Sequence, residues 1–170
     1  MQARFSTAQM TEFQQRAALV THAMRDQGVS QLLVTHPENI YWLTGATFEA
    51  LERPFFLLLR QNGQRRLLVP TLEADHLGKA WGLHADGILR YREFPAPDGH
   101  SWIDALLQPG VLDATFAYED STPASIAAVL NAEGGRALDV LSDLRMIKSA
   151  FEIALIATAA RYADWGVAQI

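Results

Sequence analysis

The chain has no cysteine among its 170 residues. Disulfide staples, a cysteine nucleophile and thiolate-held zinc or iron–sulfur centres are therefore excluded. A basic surplus is also missing: 14 Lys and Arg stand against 19 Asp and Glu, a formal charge of −5 at pH 7. Nucleic acid is disfavoured as a partner, because displacing counterions from a phosphate backbone takes clustered positive charge. No apolar stretch approaches the ~20 residues of a membrane span. The opening segment from Met1 to Met10 has no apolar signal core. The eleven glycines form no G-x-G-x-x-G, no G-x-x-x-x-G-K-[ST] and no G-x-S-x-G elbow. Nor can Thr35-His36-Pro37, at the end of the first apolar run, cradle a phosphate as a glycine-lined loop does. What is left is a globular domain, expected to be cytoplasmic, and long enough to bury a core without staples.

Hydrophobic residues make up 49% of the chain and charged ones 19%, a composition that folds. Phe13, Ala17, Val20 and Met24 share one helical face over about residues 8–27, with Ser6 or Thr7 as cap and Gly28 as the left-handed stop. Gln31 to Thr35 reads as a buried strand ended by His36-Pro37, Glu38 to Thr44 as a short helical turn, and Ala46 to Arg53 as a loop. Pro54-Phe-Phe-Leu-Leu-Leu59 is apolar at every position, which suits a central strand covered on both faces. Asn62-Gly63 predicts a two-residue hairpin turn with positive φ, and Arg66 to Val69 the returning strand. Thr71 is positioned to cap a helix with Glu73 and Asp75 in its first turn. There follow a strand over Gly87 to Tyr91, a Pro/Gly-rich link, a helix around Trp102 to Leu107 and a strand over Thr115 to Tyr118. Last come a helix with Pro123 at its first position and a short strand over Arg136 to Asp139. Strands alternating with helices, with one hairpin, predict an α/β fold: a mixed β-sheet with helices on both faces.

The final segment opens with a capping box, Ser149-Ala-Phe-Glu152, and runs with Ile153, Ile156, Ala160, Ala163, Val167 and Ile170 along one face. No glycine cap or polar tail closes it. A helix cut from a larger protein is the natural reading; a terminal helix docked on its own sheet, or on a dimer mate, is the other.

Two groups of residues could carry chemistry. Glu73, Asp75 and His76, with His84 and Asp86 further on, hold metal-ligating side chains, but a site needs convergence from several elements, and a solvated helix face is the plainer account. His22 reads as a surface or edge residue, and His100, after the Pro/Gly link, has no evident partner. The loop from Thr44 to Pro54 is the better candidate, since ligands gather in loops at strand ends of α/β sheets. There Phe48, Glu49 and Arg53 are the candidate substrate-binding residues: Arg53 could grip a carboxylate through two parallel hydrogen bonds, and Glu49 or Glu52 could meet an amine. An exposed polar loop with an internal Arg–Glu pair is the competing account.

The run Leu33-Val-Thr-His-Pro-Glu-Asn-Ile-Tyr-Trp-Leu-Thr-Gly45 resembles the N-terminal domain of the creatinase/prolidase family, the pita-bread hydrolases that include Xaa-Pro dipeptidases, Xaa-Pro aminopeptidases and creatinase. Leu67-Leu-Val-Pro70 with Leu72-Glu73 resembles a second block of that family. Leu144 to Ile156, with Lys148-Ser-Ala-Phe-Glu152, resembles its crossing into the catalytic domain. The resemblance implies a three-layer mixed sheet with a ribonuclease H-like motif, a domain over residues 1–148, and 149–170 as the first helix of a C-terminal catalytic domain. It implies a homodimer and a small peptide substrate in the parent. Two divalent metal ions are expected in the catalytic domain and none here, although creatinase works without metal. No catalytic or metal-binding residue of the family falls within this chain, so the chain alone is expected to be inactive.

Overall fold

The computed structural model describes residues 5–83 and 85–169. His84, one of the candidate ligands, and Ile170, the last of the apolar stripe, lie outside the described residues.

Helix α1 (Thr7–Asp26) starts where Ser6 accepts from the Gln9 backbone N–H and the Gln9 side chain accepts in return from Ser6, a closed capping box. It leads through Gly28, at φ 65°, into β1 (Gln31–Val34). Helix α2 (Pro37–Thr44) follows, and then the loop of residues 45–55. Strands β2 (Phe56–Arg60) and β3 (Arg65–Pro70) form the hairpin. A 3₁₀ turn (Thr71–Glu73) and short α3 (Ala74–Leu77) precede β4 (Ile88–Tyr91). The rest is α4 (Trp102–Leu106), β5 (Phe116–Tyr118), α5 (Ala124–Ala132), β6 (Arg136–Ala137), α6 (Leu141–Met146) and α7 (Ala150–Val167).

The strands make one six-stranded mixed sheet in the order β4-β3-β2-β1-β5-β6. The central pairs β1–β2 and β2–β3 are antiparallel, and β3–β4, β1–β5 and β5–β6 are parallel. Alternate side chains along a strand point to opposite faces, and here both faces are dry. Leu32, Val34, Leu57, Leu59, Leu67 and Val69 pack with α1, α2, α3 and α6 on one side. Leu33, Phe56, Leu58, Leu68, Phe116 and Tyr118 pack with α4 and α5 on the other. The unbroken apolar run of β2 is thus the mark of a strand with no wet face, and the three-layer α/β fold expected from the sequence is present.

Four local expectations need correction. At the hairpin only Gly63 takes positive φ, 85°. The loop spans residues 61–64 because the Asn62 side chain accepts from the Gln64 N–H at 2.9 Å, a local turn that competes with the tighter two-residue one. Thr71 caps no helix: its hydroxyl donates to the Tyr91 carbonyl at 2.9 Å and ties β3 to β4. Pro123 sits at the cap of α5 rather than at its first helical position. Helix α6 (Leu141–Met146), which overlaps the start of the crossing segment from Leu144, has no counterpart among the elements expected from the sequence.

Candidate functional site

The motif helix α2 is a fastening point. Glu119, just after β5 and only 3% exposed, accepts from the backbone N–H groups of Thr35 at 2.6 Å and His36 at 2.8 Å, where α2 begins. Its other oxygen accepts from the Asn39 side-chain amide, and the Asn39 carbonyl oxygen accepts from Arg145 of α6. A buried carboxylate is tolerated there because each oxygen is met by donors. Gly45 ends the helix at φ 66°, and a Cβ there would stand 2.6 Å from the Phe5 ring, so the position accepts only glycine. Asn39, Trp42 and Gly45 therefore serve assembly: they hold α2 to β5, α6, α7 and the N-terminal segment.

Trp42 makes the second half of this hub. Its indole N–H donates to Glu152 Oε1 at 2.8 Å, and its carbonyl accepts from Arg16 Nη1 at 2.9 Å. Arg16 also reaches Glu152 Oε1 at 3.0 Å and Glu12 at 3.3 Å, with its guanidinium 5.0 Å from the Trp42 ring centre. Ser149 Oγ donates to Glu12 at 3.0 Å. Burial alone would raise the Glu152 carboxyl; the Ser149 N–H, the Trp42 indole and the Arg16 guanidinium outweigh it, and the group sits below the usual glutamate value. A cleft of about 590 Å³ lies beside this cluster, between α1 and α2 on one side and α6 and α7 on the other. Beyond its first turn α7 stands away from the body: none of its residues is buried, and Ile153, Ile156, Trp165 and Val167 are each more than half exposed.

The loop carrying the candidate substrate-binding residues borders a second, larger cleft of about 1320 Å³. Phe48, Glu49 and Arg53 all line it, as do Glu52, Tyr91 and Glu93. Phe48 is half-buried and stacks on Phe55 with ring centres 4.0 Å apart. Glu49 is exposed. Arg53 is engaged within the chain: one nitrogen pairs with Glu73 at 3.1 Å, the other donates to the Glu49 carbonyl at 2.9 Å, and the guanidinium lies 5.9 Å from the Phe55 ring centre. His76 is 3.3 Å from Glu73, and its other ring nitrogen is 3.3 Å from the Thr47 carbonyl. Glu73 and His76 thus fasten the loop. Burial, helped by Glu93, pushes the Tyr91 phenol up, so it stays a donor, here to the Pro54 carbonyl at 3.0 Å. Leu51 at the loop's tip holds φ 49°, an uncommon conformation for a branched side chain.

Among the described residues no group of three or more His, Asp or Glu side chains is arranged to hold a metal ion, and no helix is long and apolar enough to cross a membrane. His22 pairs with Asp26 at 3.6 Å and His36 with Glu38 at 2.5 Å, both exposed. The sequence reading missed Glu12, Arg16 and Glu119. A charged i, i+4 pair beside Phe13 and Ala17 on the apolar face of α1 was the available signal.

A mixed six-stranded sheet between two helical layers, with a fastened motif helix and a projecting final helix, defines a three-layer α/β domain. The chain belongs to the Creatinase/Prolidase N-terminal domain family, whose profile matches residues 16–147. The protein named "Probable dipeptidase PepE" of Mycobacterium tuberculosis is 30% identical over 146 residues, which cover 83% of this chain and 38% of that protein. The chain thus spans well under half the length of these relatives. In fold it is similar to dipeptidase PepE of Mycobacterium ulcerans, with TM-score 0.70 and 24% identity over 95% of this chain and 44% of the other. It is likewise similar to the Creatinase/Prolidase N-terminal domain of an X-Pro dipeptidase from Streptococcus pyogenes, with TM-score 0.63 and 18% identity, covering 78% of this chain and 98% of that one.

Proposed function

We propose that this chain is the non-catalytic N-terminal domain of a pita-bread hydrolase, acting in dimerisation and in access of substrate, and that the parent cleaves proline-containing dipeptides or the amino-terminal residue before proline. In this reading residues 1–148 form the domain, and 149–170 begin the catalytic domain. The parent is a cytoplasmic homodimer whose two divalent metal ions are held by residues beyond this chain. There the metals would activate a bridging water and polarise the scissile carbonyl.

The observation that carries the proposal is α7: a capped helix of 18 residues with none buried, in a chain whose family is that of prolidase N-terminal domains. A self-contained binding module would seal such a helix against its own sheet. With Zn²⁺, Mn²⁺ or Co²⁺ added, the purified chain should leave Xaa-Pro peptides uncut; hydrolysis by a clean preparation would overturn the reading.

Phe48, Glu49 and Arg53 form the proposed substrate-facing wall. Glu49 is the group open to an amine, while Arg53, held by Glu73, sets the shape of the loop. In the parent, Arg53→Ala should raise KM several-fold with metal content unchanged. Unaltered kinetics would return Arg53 to a purely structural role.

A further inference from the structure

We infer that Glu152 is a positioning residue: through Arg16 and Trp42 it fixes the direction in which α7 leaves the sheet body, and so the placement of whatever follows α7. This rests on the reading of α7 as the first helix of the hydrolase body, and goes beyond it by naming the group that sets the angle between the two.

Three observations support the assignment. First, α7 has no apolar dock. An amphipathic helix normally takes its orientation from the face it buries, and this one buries none. Its direction must come from its first turn. Second, that turn meets a receptor built in advance. Glu12, Arg16 and Trp42 are each 8–9% exposed. Arg16 is held by the Trp42 carbonyl at 2.9 Å and by Glu12 at 3.3 Å, independently of α7. Third, the two oxygens of Glu152 divide the work. Oε2 accepts from the Ser149 N–H at 2.8 Å and closes the capping box. Oε1 accepts from both Arg16 at 3.0 Å and Trp42 at 2.8 Å. Starting the helix and aiming it therefore depend on one carboxylate, and the helix begins already pointed. A Glu at this position has a purpose that a generic capping box, satisfied equally by Gln as in α1, does not require.

That last difference supplies the test. Glu152→Gln keeps a side chain able to close the box but removes the charge held by Arg16. Because the chain has no cysteine, the double substitution Ala128→Cys and Ala163→Cys places one spin label at an exposed position of α5 and one at an exposed position of α7. Pulsed electron paramagnetic resonance on the labelled chain, diluted with unlabelled chain so that only intramolecular pairs are read, reports the spread of the α5–α7 distance. A single narrow population is expected for the parent sequence. Glu152→Gln should widen it at least twofold with helix content by circular dichroism unchanged. Arg16→Lys, which keeps the charge but cannot span Glu152 and the Trp42 carbonyl together, should widen it by less. An unchanged width in both variants overturns the inference. So does loss of helix content in Glu152→Gln without widening, since Glu152 would then act only as a cap. The readout needs no substrate, so peptidase activity in this chain would sink the proposed function without touching this result, and an unchanged width would sink the positioning role while leaving the family and function intact.

Discussion

Helices α1 and α7 are close to a matched pair. They run 20 and 18 residues, and both begin with a serine capping box. Yet α1, the less apolar of the two, buries Phe13, Ala17, Val20 and Met24, the last two in the core packed on the sheet, while α7 buries nothing. Local sequence accounts for the existence of both helices. Only a tertiary surface accounts for the difference in burial, and in this chain just one of them has such a surface. What joins α7 to the rest is polar: a carboxylate, a guanidinium, an indole and a hydroxyl.

The contrast can be broken most strongly by truncating apolar side chains. Met24→Ala on α1, where the side chain is fully buried, should cost about 2–5 kcal/mol in chemical denaturation. Ile156→Ala on α7, 55% exposed, should fall within about 0.5 kcal/mol. Comparable losses at the two sites would mean that α7 is packed in solution. Removing one member of the polar junction comes next. Arg16→Ala leaves Glu12 and Glu152 facing each other and should cost roughly 2–3 kcal/mol, less than a fully buried pair because water reaches its edge. At the far end of the motif helix, Glu119→Gln sets an amide against N–H donors that now meet a carboxylate, and about 1–3 kcal/mol should be lost. Ser149→Ala should cost about 1 kcal/mol of helix start, read as faster amide exchange in the first turn of α7 alone.

Acid sharpens the same comparison with the smallest effect. The Glu152 carboxyl lies below its unfolded value, so the stabilisation it adds is complete above that value, ~4.3 for a free glutamate, and is lost as pH falls through the lower folded value. Glu12 and Arg16 on α1, Glu38 on α2, and Arg145 and Lys148 ahead of α7 are the other charged side chains that line the same cleft. Between pH 7 and about 5 the protection of the first turn of α7, its exchange relative to the free-peptide rate at the same pH, should hold steady and fall only in stronger acid. Loosening on raising the pH instead would show that the carboxylate is not the anchor.

Much of this architecture could be read from the residues. The apolar run that opens β2, the Ser6 and Ser149 caps, and the alternation of strands with helices are local patterns, and local physics fixes them. The motif helix was legible as a resemblance, but its purpose was not. Asn39 and Trp42 act on Arg145 and Glu152, more than a hundred residues away in sequence, and no periodicity reports such a pairing. Arg53 shows the same limit. Its charge and its place at a strand mouth suggested a ligand grip, while its partner Glu73 lies across a hairpin that only the fold brings near. Glu73 and His76, in turn, looked like ligands or solvated charges and are fasteners of the loop.

Native-state amide hydrogen exchange on the purified chain at low concentration tests the central claim most directly, because it reads each helix separately. Amides of α1 facing the sheet should exchange only through global unfolding, whereas α7 beyond its first turn should exchange orders of magnitude faster by opening on its own. Equal protection of the two helices would contradict the account, for it would mean that α7 already has a partner within this polypeptide.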